Sequence, residues 1–258
     1  MKKLIVLFLV LFFNTASFAQ YPCYAAAKSG LSMREQPNTA AKILEKIPYG
    51  EKLVTVSGDI NPPTIITEGF TGSWWKVNYN NMTGYIVSSY VLPFPPPKTG
   101  TKTLSDYFDQ LSSVNGSPVV IKKTNPDLNE MGESKLTKQL YKNGMEWQKA
   151  EGYENGSEIY LLPDLTIEQC FLLLRLTGQY PDIIGDKDAF PSKNSTVKIE
   201  AGEKTIEVER EKYDGPQGSA SKSGPVKRIK IIVTQGAYTE FEIFMVDTQV
   251  VILWSSGV

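Results

Sequence analysis

The run PFPPPKTGTKT, Pro93 to Thr103, restricts the folding of this chain more than any other stretch. A proline fixes φ and has no N–H to give to a helix or a sheet. Four prolines within five residues therefore make an extended, semi-rigid spacer that no helix or central strand traverses. The chain divides around residues 93–103. Residues 24–92 alternate short β-rich runs with turn residues, and residues 104–258 mix helical and strand patterns.

The N-terminus separates on different grounds. MKKLIVLFLVLFFNTASFAQ has Lys2 and Lys3, an apolar run from Leu4 to Phe13, and a small-x-small exit at Ser17-Phe18-Ala19. This is the pattern of a secretory signal peptide over residues 1–19, cut after Ala19. The apolar run falls short of the about 20 residues that a membrane span needs. Cys23 follows Tyr21-Pro22, too late for a lipoprotein cysteine. The expected mature chain is soluble, not membrane-spanning, and exported to a periplasmic, cell-surface or secreted location.

Charge and residue usage exclude several function classes. The chain has 27 Lys and Arg against 28 Asp and Glu. Losing Lys2 and Lys3 with the leader leaves it slightly more acidic, and no basic block stands out. Nucleic acid is not an expected partner, because phosphate binding needs concentrated positive charge. There is no histidine. Its absence removes Ser-His-Asp and Cys-His hydrolysis and imidazole-ligated zinc chemistry. Carboxylate chemistry survives, since two Asp or Glu side chains are enough to cleave a glycoside. Two readings of Cys23 and Cys170 stand: an oxidised bridge from tail to distal domain, or a free Cys23 with Cys170 buried in CFLLLRL. The second is favoured.

Within residues 24–92, five strands are expected. Leu31 to Arg34 alternates and ends in the turn EQPNTAA; Ile43 to Ile47 ends at Pro48-Tyr49-Gly50; Lys52 to Val56 follows. After a loop from Ser57 to Gly72, period two places Trp75, Val77 and Tyr79 on one face and Trp74, Lys76 and Asn78 on the other. Asn80-Asn81 turns the chain into a return strand, Thr83 to Val87. Five short strands in some 70 residues indicate a small β-barrel.

LSMREQPNTAAKILEKIPYGEKLVTV and WWKVNYNNMTGYIVSSYVL together resemble the bacterial SH3 (SH3b) domain. Arg34, Pro37, Gly50, Trp74, Lys76, Val77, Gly84, Tyr85, Val87 and Leu92 occupy the matching places. The departure is a long Pro- and Thr-bearing loop from Asp59 to Phe70. The resemblance implies a non-catalytic module directed at peptidoglycan or other cell-envelope peptides. The closing segment is also similar to the end of eukaryotic SH3 domains, which implies that Trp74 and Tyr90 flank a peptide groove.

The candidate ligand-binding residues are Trp74, Tyr49, Tyr90 and Arg34. Trp75, Val77 and Tyr85 are assigned to the barrel core. Trp74 points away from that core and is open to a platform role. Tyr49 and Tyr90 stand either at a groove edge or over the barrel end. Arg34 either meets a carboxylate of a wall peptide or pins the first turn by pairing with Glu35 or Glu51. The stiffness of Pro93 to Pro97 makes that run a strap and not a ligand of its own barrel.

In the second half, Leu104, Tyr107, Phe108 and Leu111 follow helical spacing within Thr103–Val114. Pro118 to Ile121 is an expected strand, Ser134 to Tyr141 an expected helix, and Glu146 to Leu162 a hairpin about Glu154-Asn155-Gly156. Leu165 to Thr177 is an expected helix with Asp164 as cap and Gly178 as stop. A β-meander follows over Thr196–Glu200, Lys204–Glu209, Val226–Thr234, Tyr238–Val246 and Gln249–Trp254, with the loop Tyr213–Gly224 inside it. The expected fold class is mainly β plus α+β: an SH3-like barrel, then an α+β domain with an antiparallel meander. The acids Asp182, Asp186 and Asp188 lack calcium-loop spacing and read as solvated loop residues.

The function expected from these features is an exported binding protein for envelope peptide, peptidoglycan or protein, without catalytic residues, cofactor or metal. Two alternatives remain open: a carboxylate-based wall or glycan hydrolase in residues 104–258 targeted by the barrel, and an assembly protein binding other proteins.

Overall fold

The computed structural model describes residues 22–56, 61–212 and 223–257; the segment expected to be a signal peptide, residues 1–19, and residues 213–222 of the Gly/Ser-rich loop lie outside them. The described residues build two antiparallel sheets and two α-helices. The first sheet has eight strands: β1 (Pro22–Ala25), β2 (Leu31–Arg34), β3 (Ile43–Ile47), β4 (Lys52–Thr55), β5 (Thr64–Thr67), β6 (Phe70–Tyr79), β7 (Met82–Val87) and β8 (Val91–Leu92). Their order is β3-β2-β7-β6-β4-β1-β8, with β5 paired to β6. Ile47 of β3 and Val91 of β8, at opposite ends of that order, bury in one cluster with Met33, Leu53, Val77 and Ile86, so the sheet wraps its own core. All five expected strands are present. β1 and β8 are too short to show a period, and β5 lies inside the unusual loop.

Asn80 and Asn81 both take positive φ, 47° and 60°, and close the β6–β7 hairpin with a two-residue turn whose twist matches that of the strands. The alternation in β6 runs as expected: Val77 is buried in the barrel core, and Trp75 and Tyr79 pack against it.

The second sheet has nine strands, and calling this half α+β overstates its helices; it is a β-sheet-rich region carrying two helices on one face. β9 (Val119–Thr124), β10 (Glu133–Leu140), β11 (Glu146–Glu151) and β12 (Asn155–Pro163) lead to α2 and then to β13 (Ser195–Ile199), β14 (Gly202–Lys212), β15 (Ser223–Gln235), β16 (Ala237–Val246) and β17 (Gln249–Gly257). The order β13-β14-β15-β16-β17-β12-β11-β10-β9 shows that β12 pairs with the last strand and stitches the early hairpins to the meander. Helix α1 is Leu104–Leu111 and α2 is Ile167–Thr177.

The segment Ser134–Tyr141 is the clearest correction: it forms strand β10, not a helix. Leu136 and Leu140 are four residues apart, and that spacing keeps two side chains on one face in a strand as well as in a helix. Strands on both sides then decide, with Leu136 opposite Ala150 of β11 and Ile121 of β9. The cap of α2 also differs. Thr166, not Asp164, accepts from the Gln169 amide, and Gln169 returns a bond to the Thr166 amide. Asp164 instead takes a left-handed conformation at φ 62°, while Gly178 ends the helix as expected at φ 65°. Cys23 and Cys170 are both free and both buried, so no bridge joins the two halves.

Helices and sheet share one core. Tyr107 and Phe108 of α1, with Phe171, Leu173 and Leu174 of α2, pack on the sheet face that carries Tyr160, Ile229, Phe241, Ile243 and Ile252. Ala26, Phe70 and Leu92 from the first sheet belong to this same cluster, so the core continues across the proline boundary.

The opposite face of the second sheet holds a charge ladder. Lys230 lies 2.8 Å from Glu240, and Arg228 hydrogen-bonds Glu242. The Lys230 ammonium, helped by the Tyr238 hydroxyl, lowers the Glu240 pKa from the usual 4.5 to about 2. A carboxylate with a depressed folded pKa adds stability above its unfolded pKa and loses it as pH falls through the folded value. Stability is therefore expected to decline from about pH 4.5 towards pH 2. In Lys230→Met the same limb is expected to be flatter, as urea midpoints taken along the acid range will show.

Candidate functional site

The loop that departs from the expected barrel pattern makes the site. Thr64 to Thr67 folds back on β6 with Thr67 opposite Phe70, leaving Glu68 and Gly69 as the turn at φ 49° and 80°. The hairpin tip reaches the second half of the chain, where the Phe190 amide donates to the Glu68 carbonyl at 2.8 Å. Phe70 is fully buried, with its ring centroid 5.3 Å from Phe190, 5.9 Å from Phe171 and 6.0 Å from Tyr90.

Arg175, in the last turn of α2, secures the junction. Its Nε donates to the Asp186 carbonyl at 3.0 Å and its Nη1 to Glu68 at 2.9 Å, while its guanidinium lies 5.5 Å from the Phe70 ring centre. From the helix side, Gln169 donates to the Val91 carbonyl at 3.2 Å. These bonds fix one face of α2 beside the barrel.

A cleft of about 610 Å³ runs between them. Its barrel wall includes Ala27, Ile65, Trp74 and Val87, and its helix wall includes Leu172, Arg175 and Leu176. A second hollow of about 590 Å³ adjoins it, sharing Lys28, Arg175, Leu176 and Asp186. That hollow is closed on its far side by Tyr49 and by Pro97 to Lys102.

Three of the four candidate residues, Arg34, Trp74 and Tyr90, line the first cleft, and Tyr49 lines the second. Trp74 points away from the barrel core as its parity requires, yet it is only 3% exposed. Trp74 is therefore part of the cleft wall and not an open platform, with Leu172, Arg175 and Leu176 of α2 across the cleft from it. Arg34 donates from Nη1 to the Ala41 carbonyl at 2.6 Å. It thus pins the first turn through backbone, and among the described residues it has no ion pair with Glu35 or Glu51. Tyr90 is half-buried; burial, with the Glu68 carboxylate next in effect, pushes its pKa up to about 12, so it stays a hydrogen-bond donor.

The Tyr49 hydroxyl donates to the Pro97 carbonyl at 2.8 Å, and Tyr107 of α1 donates to the Pro95 carbonyl at 2.8 Å. Pro96 and Pro97 are buried. The proline run is held between the two halves and does not enter the Trp74 cleft. Tyr49→Phe removes one such bond and is expected to lower stability by about 0.5–1.5 kcal/mol in chemical denaturation. Removing the phenol should also remove a titration step near pH 12, where burial holds the Tyr49 hydroxyl.

Sequence reasoning missed Lys28, Glu68, Leu172, Arg175, Leu176 and Lys187, and read Asp186 only as a solvated loop acid. Only Arg175 carried a signal, as a cation at the end of an expected helix; the others acquire their place from packing between distant segments. The arrangement offers apolar walls and cations to an elongated ligand. Among the described residues, no three Cys, Asp or Glu side chains stand together as a metal site, and no helix is long and apolar enough to cross a membrane.

Comparison with known proteins returns a single partial answer. Neither a curated protein nor a solved structure matches the chain. One family model matches, over about a quarter of the chain and most of the first sheet: residues 29–91 are a bacterial SH3 domain.

Proposed function

We propose that this is an exported, non-catalytic binding protein that takes cell-envelope peptide, as in peptidoglycan, into the cleft between its SH3 domain and α2. Bacterial SH3 domains are often involved in cell-wall binding, and they are often extracellular or wall-associated. The observation that carries the reading is the convergence of Arg34, Trp74 and Tyr90 on one cleft whose opposite wall is Leu172, Arg175 and Leu176. A groove with aromatic and aliphatic walls and a few polar groups suits an extended peptide. The basic, apolar leader pattern of residues 1–19 supports export.

The full chain is the right material for the test, because Phe70 and Leu92 bury in the core of the second half and a barrel cut at residue 98 would expose them. Mature protein is expected to co-sediment with purified peptidoglycan. Trp74→Ala, verified as folded by circular dichroism, is expected to lose most of that retention while Trp74→Phe keeps part of it. Failure of the wild type to co-sediment would sink the reading.

A further inference from the structure

The two adjoining hollows carry a charge that the rest of the protein does not. Lys28, Arg34, Arg175 and Lys187 line the first, and Lys98 and Lys102 extend the basic lining along the second. The acids on the same surfaces are Glu68 and Asp186. Six cations against two acids give this surface an excess of four, on a chain whose formal net charge is −1. Glu68 is already matched by Arg175 at 2.9 Å. Lys28, Lys98, Lys102 and Lys187 are exposed and have no ion-pair partner among the described residues. The C-terminal end of α2 contributes an opposing charge of roughly −0.5, too small to cancel four lysines.

Resting on the binding reading above, we infer that the ligand is an acidic peptide whose free carboxylates pair with Lys28 and Lys187 in the first hollow and with Lys98 and Lys102 in the second. The geometry of the walls divides the work. Trp74, Ile65 and Leu176 cover the apolar part of the peptide, and lysines on the barrel, on the loop after α2 and on the strap compete for its acids. Unpaired cations around a partly enclosed cleft raise the local concentration of anions and speed their capture, and this contribution weakens with salt. Lys98 and Lys102 follow the strap within residues 93–103, so the segment between the two halves supplies contacts as well as connection.

The test uses the mature full chain, with native peptidoglycan, peptidoglycan whose carboxylates have been amidated, and a soluble decaglutamate peptide beside decaglutamine. The expected result is retention on native peptidoglycan, about tenfold weaker binding after amidation, and a similar loss in Lys28→Glu/Lys187→Glu. Binding should also fall as salt is raised from 50 to 500 mM. Equal retention on native and amidated material, unchanged in the double variant, would overturn the acidic-ligand inference while leaving the wall-binding reading in place. Capture of decaglutamate without retention on peptidoglycan would uphold the inference and reject the wall as the source of the acids. Binding to none of the anionic probes would overturn both.

Discussion

Phe70→Ala is expected to lower stability by about 3–5 kcal/mol, the cost of removing a large aromatic from a packed interior. That is a large share of the total stability of a protein this size. Its ring touches Phe171, Phe190 and Tyr90 and is the only large side chain on β6 that belongs to the core shared with the second half. The loss should therefore appear as uncoupling as well as destabilisation. The wild type is expected to unfold in one cooperative transition, and Phe70→Ala in two, with the SH3 domain and the nine-stranded sheet melting apart. Scanning calorimetry reads this directly. A single transition lowered by less than 1 kcal/mol would show that the halves are held together elsewhere.

The second large effect is expected from one added methyl group. Gly69 has φ 80°, and a Cβ there would run into the carbonyl oxygen of Phe190 and stand 3.0 Å from its carbonyl carbon. Left-handed backbone costs a non-glycine residue about 1–2 kcal/mol, and overpacking adds about 1–3 kcal/mol. Gly69→Ala is thus expected to destabilise by about 2–5 kcal/mol, and to open the cleft by pushing the hairpin tip off Phe190. Gly50 supplies the control. It has φ 83° but open space around the added carbon, so Gly50→Ala should show only the backbone part. Equal losses in the two variants, followed in urea, would mean that contact with Phe190 adds nothing.

These residues mark where the sequence stopped being readable. Trp75, Val77 and Tyr85 were assigned to the barrel core; period two marks the inside of a small barrel and places the first two there, but Tyr85 stands half-buried opposite Lys76, and its neighbour Ile86 fills the core instead. The same alternation put Trp74 outside, correctly for the barrel. It gave no sign that α2, far along the chain, would form the other wall of a cleft beside that face. β5 shows the same limit. Thr64 to Thr67 is too short for a period, and its strand character depends on pairing with Phe70 to Ser73. The β10 segment failed for a different reason, because leucines four apart fit both periods. The proline run, by contrast, was legible as a strap because its stiffness is local. Its anchors, Tyr49 and Tyr107, were not, since both bonds join residues brought together by the fold.

The cleft is where the ligand is expected to sit, and the four tryptophans report on it. Trp74 lines the cleft, Trp75 packs on the barrel core, and Trp147 and Trp254 pack on the core of the second sheet. Indole N–H resonances of ¹⁵N-tryptophan-labelled mature protein, titrated with a soluble peptidoglycan fragment, separate these places in one spectrum. The expected result is a saturable shift of the Trp74 resonance with Trp147 and Trp254 unmoved. Shifts confined to Trp147 or Trp254, or no shift at all under saturating fragment, would contradict the account.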